Sequence, residues 1–282
     1  MEFPFRGSRA ILTTVIENEP LSGGSHRLRI AHPDARFDAP LSQPGQFVQM
    51  LAAPSQHLLR RPMSILDEGD GWRSFMVKPV GPASRELVRL QRGDAVDTSP
   101  PLGRGFPTAP QLAAWQHGTG APLLLVGGGF GIAPLQFVAR RLDALAQSVD
   151  YRILYGGRTA ADVEAEVLSD VLGTVIPTTD DGSLGFHGTC VDRAAVELDR
   201  SQATGAIVLA CGSHAMMRAL YDAIGARVAR LFVSLEEVMG CGVGVCMGCV
   251  TPSVRGYVPI CTHGPVFEAE AVFGPKVIPS GI

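Results

Sequence analysis

Lysine is almost missing from this 282-residue chain: of 24 basic residues only Lys78 and Lys276 are lysine, a bias that reads as codon usage rather than function. Charged residues are also scarce, at 18% against 46% hydrophobic, so the chain has the means to bury real cores and is not intrinsically disordered. A net charge of −3 and a pI near 6.2 leave no basic surface for nucleic acid. No apolar run approaches the roughly 18–20 residues that span a bilayer; Pro122–Val126 is far shorter and runs into glycines. Residues Met1–Thr13 lack the basic-then-apolar order of a secretion signal. Internal repeats and low-complexity tracts are missing too. These absences predict a soluble, cytoplasmic protein with no use for membrane or nucleic acid.

What is present is cysteine, concentrated in one place. Four of the six cysteines fall between Cys241 and Cys261. In a reducing compartment such clustering points to metal ligation over disulfides. Cys241-x4-Cys246-x2-Cys249 is the plant-type [2Fe–2S] spacing, and Cys261 returns after eleven more residues. Gly242, Gly244 and Gly248 supply the backbone freedom that a loop wrapping a cluster needs. The competing reading is structural zinc, which usually takes its cysteines as two short C-x2–4-C hooks. Three ligands in one loop and a single return favour the cluster. The return comes too soon for a complete ferredoxin fold. Cys190 reads as an ordinary buried thiol, and Cys211, before Gly212, as either a packing residue or a nicotinamide contact.

Upstream, the chain divides into two rhythms. From Arg9 to about Asp97, short runs (Arg9–Ile16, His26–Ile30, Gln46–Leu51, Arg73–Lys78, Asp94–Asp97) are broken by turn residues, as at Asp67–Gly71, which predicts a small antiparallel barrel or sandwich. A short helix is expected at Ser84–Leu90, and Pro100–Gly120 reads as a linker rich in Pro and Gly. Strands are then expected at Leu123–Val126, Tyr151–Tyr155, Thr174–Thr178, Ala206–Ala210 and Arg230–Ser234. Helices are expected after the first of these, with Leu135, Val138, Leu142 and Leu145 on one face, and at Ala161–Leu172 and His214–Val228. Alternating strands and helices predict a parallel sheet covered on both faces. The fold class is therefore a β barrel plus α/β: residues 1–108 a barrel, 119–235 a parallel-sheet domain, and 236–282 a small cysteine-bearing subdomain that cannot build a core alone.

Between the first parallel strand and its helix lies Gly127-Gly128-Gly129-Phe130-Gly131-Ile132-Ala133-Pro134. Glycines let backbone approach a pyrophosphate, and the helix start supplies N–H donors. The loop fits G-x-G-x-x-G at Gly129 and Gly131, with Pro134 in the third place. In the barrel, Arg61-Pro62-Met63-Ser64 sits on an expected strand and Gly81-Pro82-Ala83-Ser84 opens the short helix. An Arg beside a hydroxyl, and a helix start, can each take a phosphate.

These features, in this order, resemble the ferredoxin–NADP reductase superfamily over nearly the whole chain, and within it the electron-transfer subunits of NAD-linked dihydroorotate dehydrogenases. Arg60–Ile65 is similar to that family's flavin motif, Met76-Val77-Lys78 and Ala83-Ser84 to the next two FAD stretches, and Pro101–Phe106 to the segment closing the barrel. Gly127–Leu135, Asp180–Ser183 with Gly185 and Gly188, and Ala210-Cys211-Gly212 with Met216 are similar to its nucleotide motifs. Ser234–Glu237, the cysteine loop and Cys261-x2-Gly264-Pro265-Val266-Phe267 complete the match. Lys78 and Ala83-Ser84 replace residues of similar chemistry; Val258-Pro259-Ile260 and the tail from Glu268 depart from the pattern.

The resemblance implies FAD on Arg61, Pro62, Met63, Ser64, Met76, Val77, Lys78, Gly81, Ala83 and Ser84. It implies NAD(H) on Gly127, Gly128, Gly129, Gly131, Ala133, Pro134, Cys211 and Gly212, and a [2Fe–2S] cluster on the four clustered cysteines. It also implies an FMN-containing dihydroorotate dehydrogenase catalytic subunit as partner, in a dimer of heterodimers serving pyrimidine biosynthesis. No acid or base in this chain is then needed. Related reductase subunits of a hydrogenase, a ferredoxin:NADP transhydrogenase or a sulfite reductase are the alternative; a zinc-stabilised nucleotide-binding module is a third reading. Arg158 stands where it could meet an adenosine ribose or a 2′-phosphate, so the choice of NADH rests on family likeness. His57 and His117 read as loop surface residues, His263 as exposed or as a hydrogen-bond donor that tunes the cluster from beside Cys261, and His187 and His214 carry no partner signal.

Overall fold

The computed structural model describes residues 11–32, 42–201 and 205–275. The first two residues of the expected Arg9–Ile16 strand, Lys276 and the end of the tail lie outside them. Short runs with inward apolar positions give six antiparallel strands: β1 (Ile11–Pro20), β2 (His26–Ala31), β3 (Phe47–Ala53), β4 (Arg61–Gly69), β5 (Trp72–Val77) and β6 (Ala95–Thr98). They close in the order β1-β2-β5-β4-β3-β6, with β6 returning to β1, so the domain is a barrel and not a sandwich. Val15, Leu28, Ile30, Val48, Met50, Ile65, Phe75 and Val96 fill its interior. Helix α1 (Pro82–Leu87) starts two residues earlier than Ser84, because Pro82 is preset for a first helical turn. At one end of the barrel a buried ion cluster joins Glu68 to Arg73 Nη2 at 3.1 Å, to His32 Nε2 at 2.7 Å and to the Ser42 N–H at 2.9 Å.

The expected linker contains a helix, α2 (Ala109–Thr119). Its ends are specified locally: the Thr108 N–H donates to Gln111 in a capping box, Pro110 lies in the first turn, and Gly120 closes it at φ +64. Proline and glycine here bound a helix rather than prevent one.

Beyond it, β7 (Leu123–Gly128), α3 (Ile132–Asp143), β8 (Tyr151–Gly157), β9 (Thr174–Thr179), β10 (Phe186–His187), α4 (Cys190–Ser201), β11 (Ile207–Cys211), α5 (His214–Ile224) and β12 (Arg230–Ser234) form the α/β domain. Its sheet runs β10-β9-β8-β7-β11-β12, all parallel, and a strand from the last segment, β15 (Val266–Glu268), joins beyond β12. Helix α4 was not among the expected elements. Conversely, Ala161–Leu172 is not one helix but two single 3-10 turns, Ala160–Asp162 and Ala165–Leu168. Between them Val163 is extended, and Glu164 turns inward, its N–H on the Tyr155 hydroxyl and its carboxylate on Ser25. Glu166 likewise takes the Ser22 N–H at 2.5 Å, and its carbonyl accepts from Arg27. The helix is forgone where this segment clamps the β1–β2 turn of the barrel.

The last segment supplies β13 (Val250–Ser253), β14 (Gly256–Pro259), α6 (Ile260–His263), β15 (Val266–Glu268) and α7 (Ala269–Phe273). β15 pairs antiparallel with β12, so the sheet is mixed and the cysteine-bearing segment is built into it. Barrel strand β3 meets the same segment: Phe47 shares a core with Cys249, Cys261, Ile260, Leu235 and Met239. No helix among the described residues is long and apolar enough to cross a membrane.

Candidate functional site

The expected residues fall into three groups, and contacts join the barrel group to each of the other two. The first is on β4. Adjacent arginines there have different fates: Arg60 is forked onto Asp97 at 2.7–3.0 Å, whereas Arg61 bonds only the carbonyls of Leu59 and Arg60 and has no carboxylate among the described residues. Arg61 therefore keeps an uncompensated charge that an anionic phosphate fits. Met63 packs on the barrel core, while Pro62 and Ser64 stand directly opposite Gln49 and Phe47 of β3. Met76 and Val77 are buried at the end of β5, and Lys78 Nζ lies 5.2 Å from the centre of the Phe130 ring. That contact ties the barrel to the glycine loop. At α1 the Gly81 N–H donates to the Ser84 hydroxyl at 2.9 Å, fixing the turn, and Ala83 is buried.

The second group is the glycine loop. In the strand order β8-β7-β11, β7 is where the connections change direction, the crevice in which such sheets bind ligands. Gly127 pairs with Cys211 across the β7–β11 ladder. A Cβ on Gly131 would overlap the Cys211 carbonyl and reach 2.6 Å from Gly212 N, and one on Gly128 or Gly212 would come within 2.6 or 2.7 Å of Met216 Sδ. Gly129 takes φ +53. Ala133 and Pro134 occupy the first turn of α3, whose free N–H groups face the loop. The backbone thus approaches where side chains would block it.

Cys211, at the end of β11, is 1% exposed and bonds the Ser234 hydroxyl. Burial, then the nearby Glu236 charge, pushes its thiol far up, so it stays protonated. Glu236 has an exposed side chain crowded by protein, which lifts its own carboxyl above the ordinary range. Nothing singled Glu236 out beforehand beyond its place in Ser234–Glu237; the fold reveals its nearness to Cys211. Cys190 opens α4, buried against Gly156, and its thiol is pushed up to about 11 chiefly by burial, which suits a packing role. Arg158 is largely exposed, 3.9 Å from Asp162. His57 lies 3.6 Å from Glu86; His117 is in the last turn of α2, bonded to the Ser148 carbonyl, rather than in a loop; His214 sits edge-on to Phe273.

The third group is the cysteine loop. Cys241 and Cys246 lie within side-chain hydrogen-bonding reach of each other, as do Cys249 and Cys261. Three cysteines in one loop and a single return ligand are the donor set of a [2Fe–2S] cluster. Backbone N–H groups already aim at sulfur: Val243 and Cys246 at Cys241 Sγ (3.4 Å each), Gly244 at Cys261 Sγ (3.1 Å) and Gly248 at Cys246 Sγ (3.4 Å). Burial raises the Cys241 thiol, but these donors outweigh it and bring it down to about 7; Cys261, buried beside Cys249, is pushed up to about 12. The loop needs left-handed backbone at Gly242, Gly244 and even Met247 (φ 55). Cys246 is exposed while Cys249 and Cys261 are buried, so one pair faces outward. The donor set fits a [2Fe–2S] group.

Residues 236–273 match the family model for the iron–sulfur cluster binding domain of dihydroorotate dehydrogenase B. The chain is 37% identical over 241 residues to the dihydroorotate dehydrogenase B (NAD(+)) electron transfer subunit of Bacillus caldolyticus, covering 82% of this chain and 87% of that one. It is 33% identical to the corresponding subunit of Geobacillus thermodenitrificans over 92% of this chain and 96% of that one. A solved NADH-dependent reduced ferredoxin-NADP oxidoreductase, studied for flavin-based electron bifurcation, superposes with a TM-score of 0.75 at 26% identity, covering 95% and 91% of the two chains. This chain belongs to the family of dihydroorotate dehydrogenase B (NAD(+)) electron transfer subunits.

Proposed function

We propose that this chain carries electrons between NAD(H), FAD and a [2Fe–2S] cluster, and exchanges them with an FMN-containing catalytic subunit that oxidises dihydroorotate. The observation that carries this reading is the cysteine loop: four cysteines gathered beside strand β3 of the barrel, backbone N–H groups aimed at their sulfurs, and Cys246 at the surface. Flavin exchanges electron pairs with nicotinamide and single electrons with iron–sulfur centres, which is the chemistry these cofactors supply when bound.

The chain's own residues position and insulate. Arg61 holds FAD phosphate, with Pro62, Met63, Ser64, Met76, Val77, Lys78, Gly81, Ala83 and Ser84 around the rest of the cofactor. Gly127, Gly128, Gly129, Gly131 and Ala133 present backbone N–H groups to the nucleotide pyrophosphate, and Pro134, which has no N–H to give, sets the first turn of α3 beside them. Cys211 and Gly212 bound the nicotinamide end, where the protonated Cys211 thiol excludes water without carrying charge. Cys241, Cys246, Cys249 and Cys261 hold the cluster. Residues 1–108, 119–235 and 236–282 serve as the FAD, NAD and cluster units, and a dimer of heterodimers in the cytoplasm is the assembly we propose.

Co-expression with a candidate catalytic chain tests the reading: dihydroorotate-dependent NAD+ reduction requires both chains, and this chain alone shows none. The likeness to the ferredoxin-NADP oxidoreductase motivates the second reading. Reduced-ferredoxin-dependent NADP+ reduction in a complex inert to dihydroorotate would favour it.

A further inference from the structure

Gln49 is only 3% exposed, yet neither its side-chain oxygen nor its side-chain nitrogen has a hydrogen-bond partner among the described residues. Buried polar side chains are nearly always satisfied, and an amide orphaned at both ends calls for a partner that only the loaded protein holds. Its position says which. On β3 it stands directly opposite Pro62 of the flavin strand, and its main chain is locked by the Ser99 hydroxyl and N–H at 2.9 Å each. Its amide points to the cysteine loop: a Cβ on Gly242 would come 2.8 Å from Gln49 Nε2 and 3.2 Å from Leu102 Cδ1. Gly242 follows Cys241, whose sulfur already takes the N–H groups of Val243 and Cys246.

We propose that Gln49 is a positioning residue between the flavin strand and the cluster, its carboxamide N–H donating to sulfur at the Cys241–Cys246 pair. An added electron makes the cluster more negative, and an N–H donor to sulfur stabilises that state, so Gln49 raises the cluster's reduction potential. This rests on the reading that the four cysteines hold a [2Fe–2S] cluster.

The test uses the full chain carrying FAD and cluster, with iron, sulfide and flavin assayed on every sample. Redox titration by absorbance and electron paramagnetic resonance compares wild type with Gln49→Met, which keeps length and removes the amide, and with Gln49→Leu, should one variant not fold. The expected result is a downward shift of the cluster potential with altered g-values, iron content kept and the flavin potential little moved. An unshifted cluster potential and spectrum in a loaded variant, even one with lowered thermal stability, overturns the proposal and leaves Gln49 structural. Wild-type protein without iron and sulfide overturns both the proposal and the reading beneath it.

Discussion

Gly131→Ala is a substitution the backbone conformation itself would allow, since Gly131 sits at φ −59 and ψ −10. The obstacle is space. Its new methyl would overlap the Cys211 carbonyl and lie 2.6 Å from Gly212 N, whereas carbon packs at roughly 3.5 Å or more. Neither neighbour can yield, because Cys211 is pinned between β7 and β12 in the sheet. The glycine loop must therefore shift by about 1 Å or more, and a misplacement of that size costs on the order of a hundredfold in a positioned reaction. Anaerobic stopped-flow reduction of the flavin by NADH should slow by about that factor, while bound FAD and iron remain at wild-type levels. Gly120→Ala, at the end of α2 and outside the loop, is the control: it meets nothing within 4 Å and bears only its φ of +64, a cost of about 1–2 kcal/mol. Wild-type flavin reduction by Gly131→Ala, or equal losses in the two variants, would refute the assignment of this loop to the nucleotide.

The neighbouring arginines should separate cleanly. Arg61→Ala weakens FAD binding by roughly ten- to a hundredfold, the worth of a charge-assisted hydrogen bond, whereas Arg60→Ala, which only frees Asp97, does so far less; flavin retention on gel filtration distinguishes them. The net lowering of the Glu68 pKa from the ordinary 4.5 sets an acid limit: burial raises it, but Ser42, Arg73 and His32 more than reverse that. Its contribution is complete above the ordinary carboxylate range and is lost as pH falls through the folded-state value. Glu68→Gln should cost about 3–5 kcal/mol near neutral pH, by stranding Arg73, and should flatten the acid limb of a urea-denaturation series; an undiminished acid limb in the variant contradicts this. Removal of iron with a chelator should open the 241–261 loop to protease while the closed barrel resists, since the loop's left-handed backbone is held by the group it wraps.

The barrel, the sheet and the cysteine loop were legible in the sequence because each has a local signature: period-two apolar runs, strand–glycine–helix, and fixed ligand spacing. Helix α2 was obscured by its own boundary residues. Thr108, Pro110, Gln111 and Gly120 are cap residues, but proline and glycine weigh as breakers when counted by composition. Helix α4 announced itself only by Thr189 and Asp192, whose reciprocal hydrogen bonds form an N-terminal box at 3.0–3.1 Å. Ala161–Leu172 has helical spacing, yet contacts from the distant Ser22 and Ser25 override it. Such long-range partners leave no local trace. The same holds for β15: a three-residue strand becomes an edge of the nucleotide sheet only once β12 exists to receive it. Gln49 and Glu236 are likewise visible only in space, each defined by a neighbour far along the chain.

The claim that most needs testing is that this one chain connects nicotinamide to an iron–sulfur cluster through flavin. Anaerobic titration of the purified, cofactor-loaded chain with NADH, followed by electron paramagnetic resonance, tests it directly. A signal of a reduced [2Fe–2S] cluster should appear as the flavin bleaches, and should be absent when Cys246→Ser prevents cluster assembly but leaves FAD bound. Flavin bleaching with no cluster signal in iron-replete wild-type protein would contradict it.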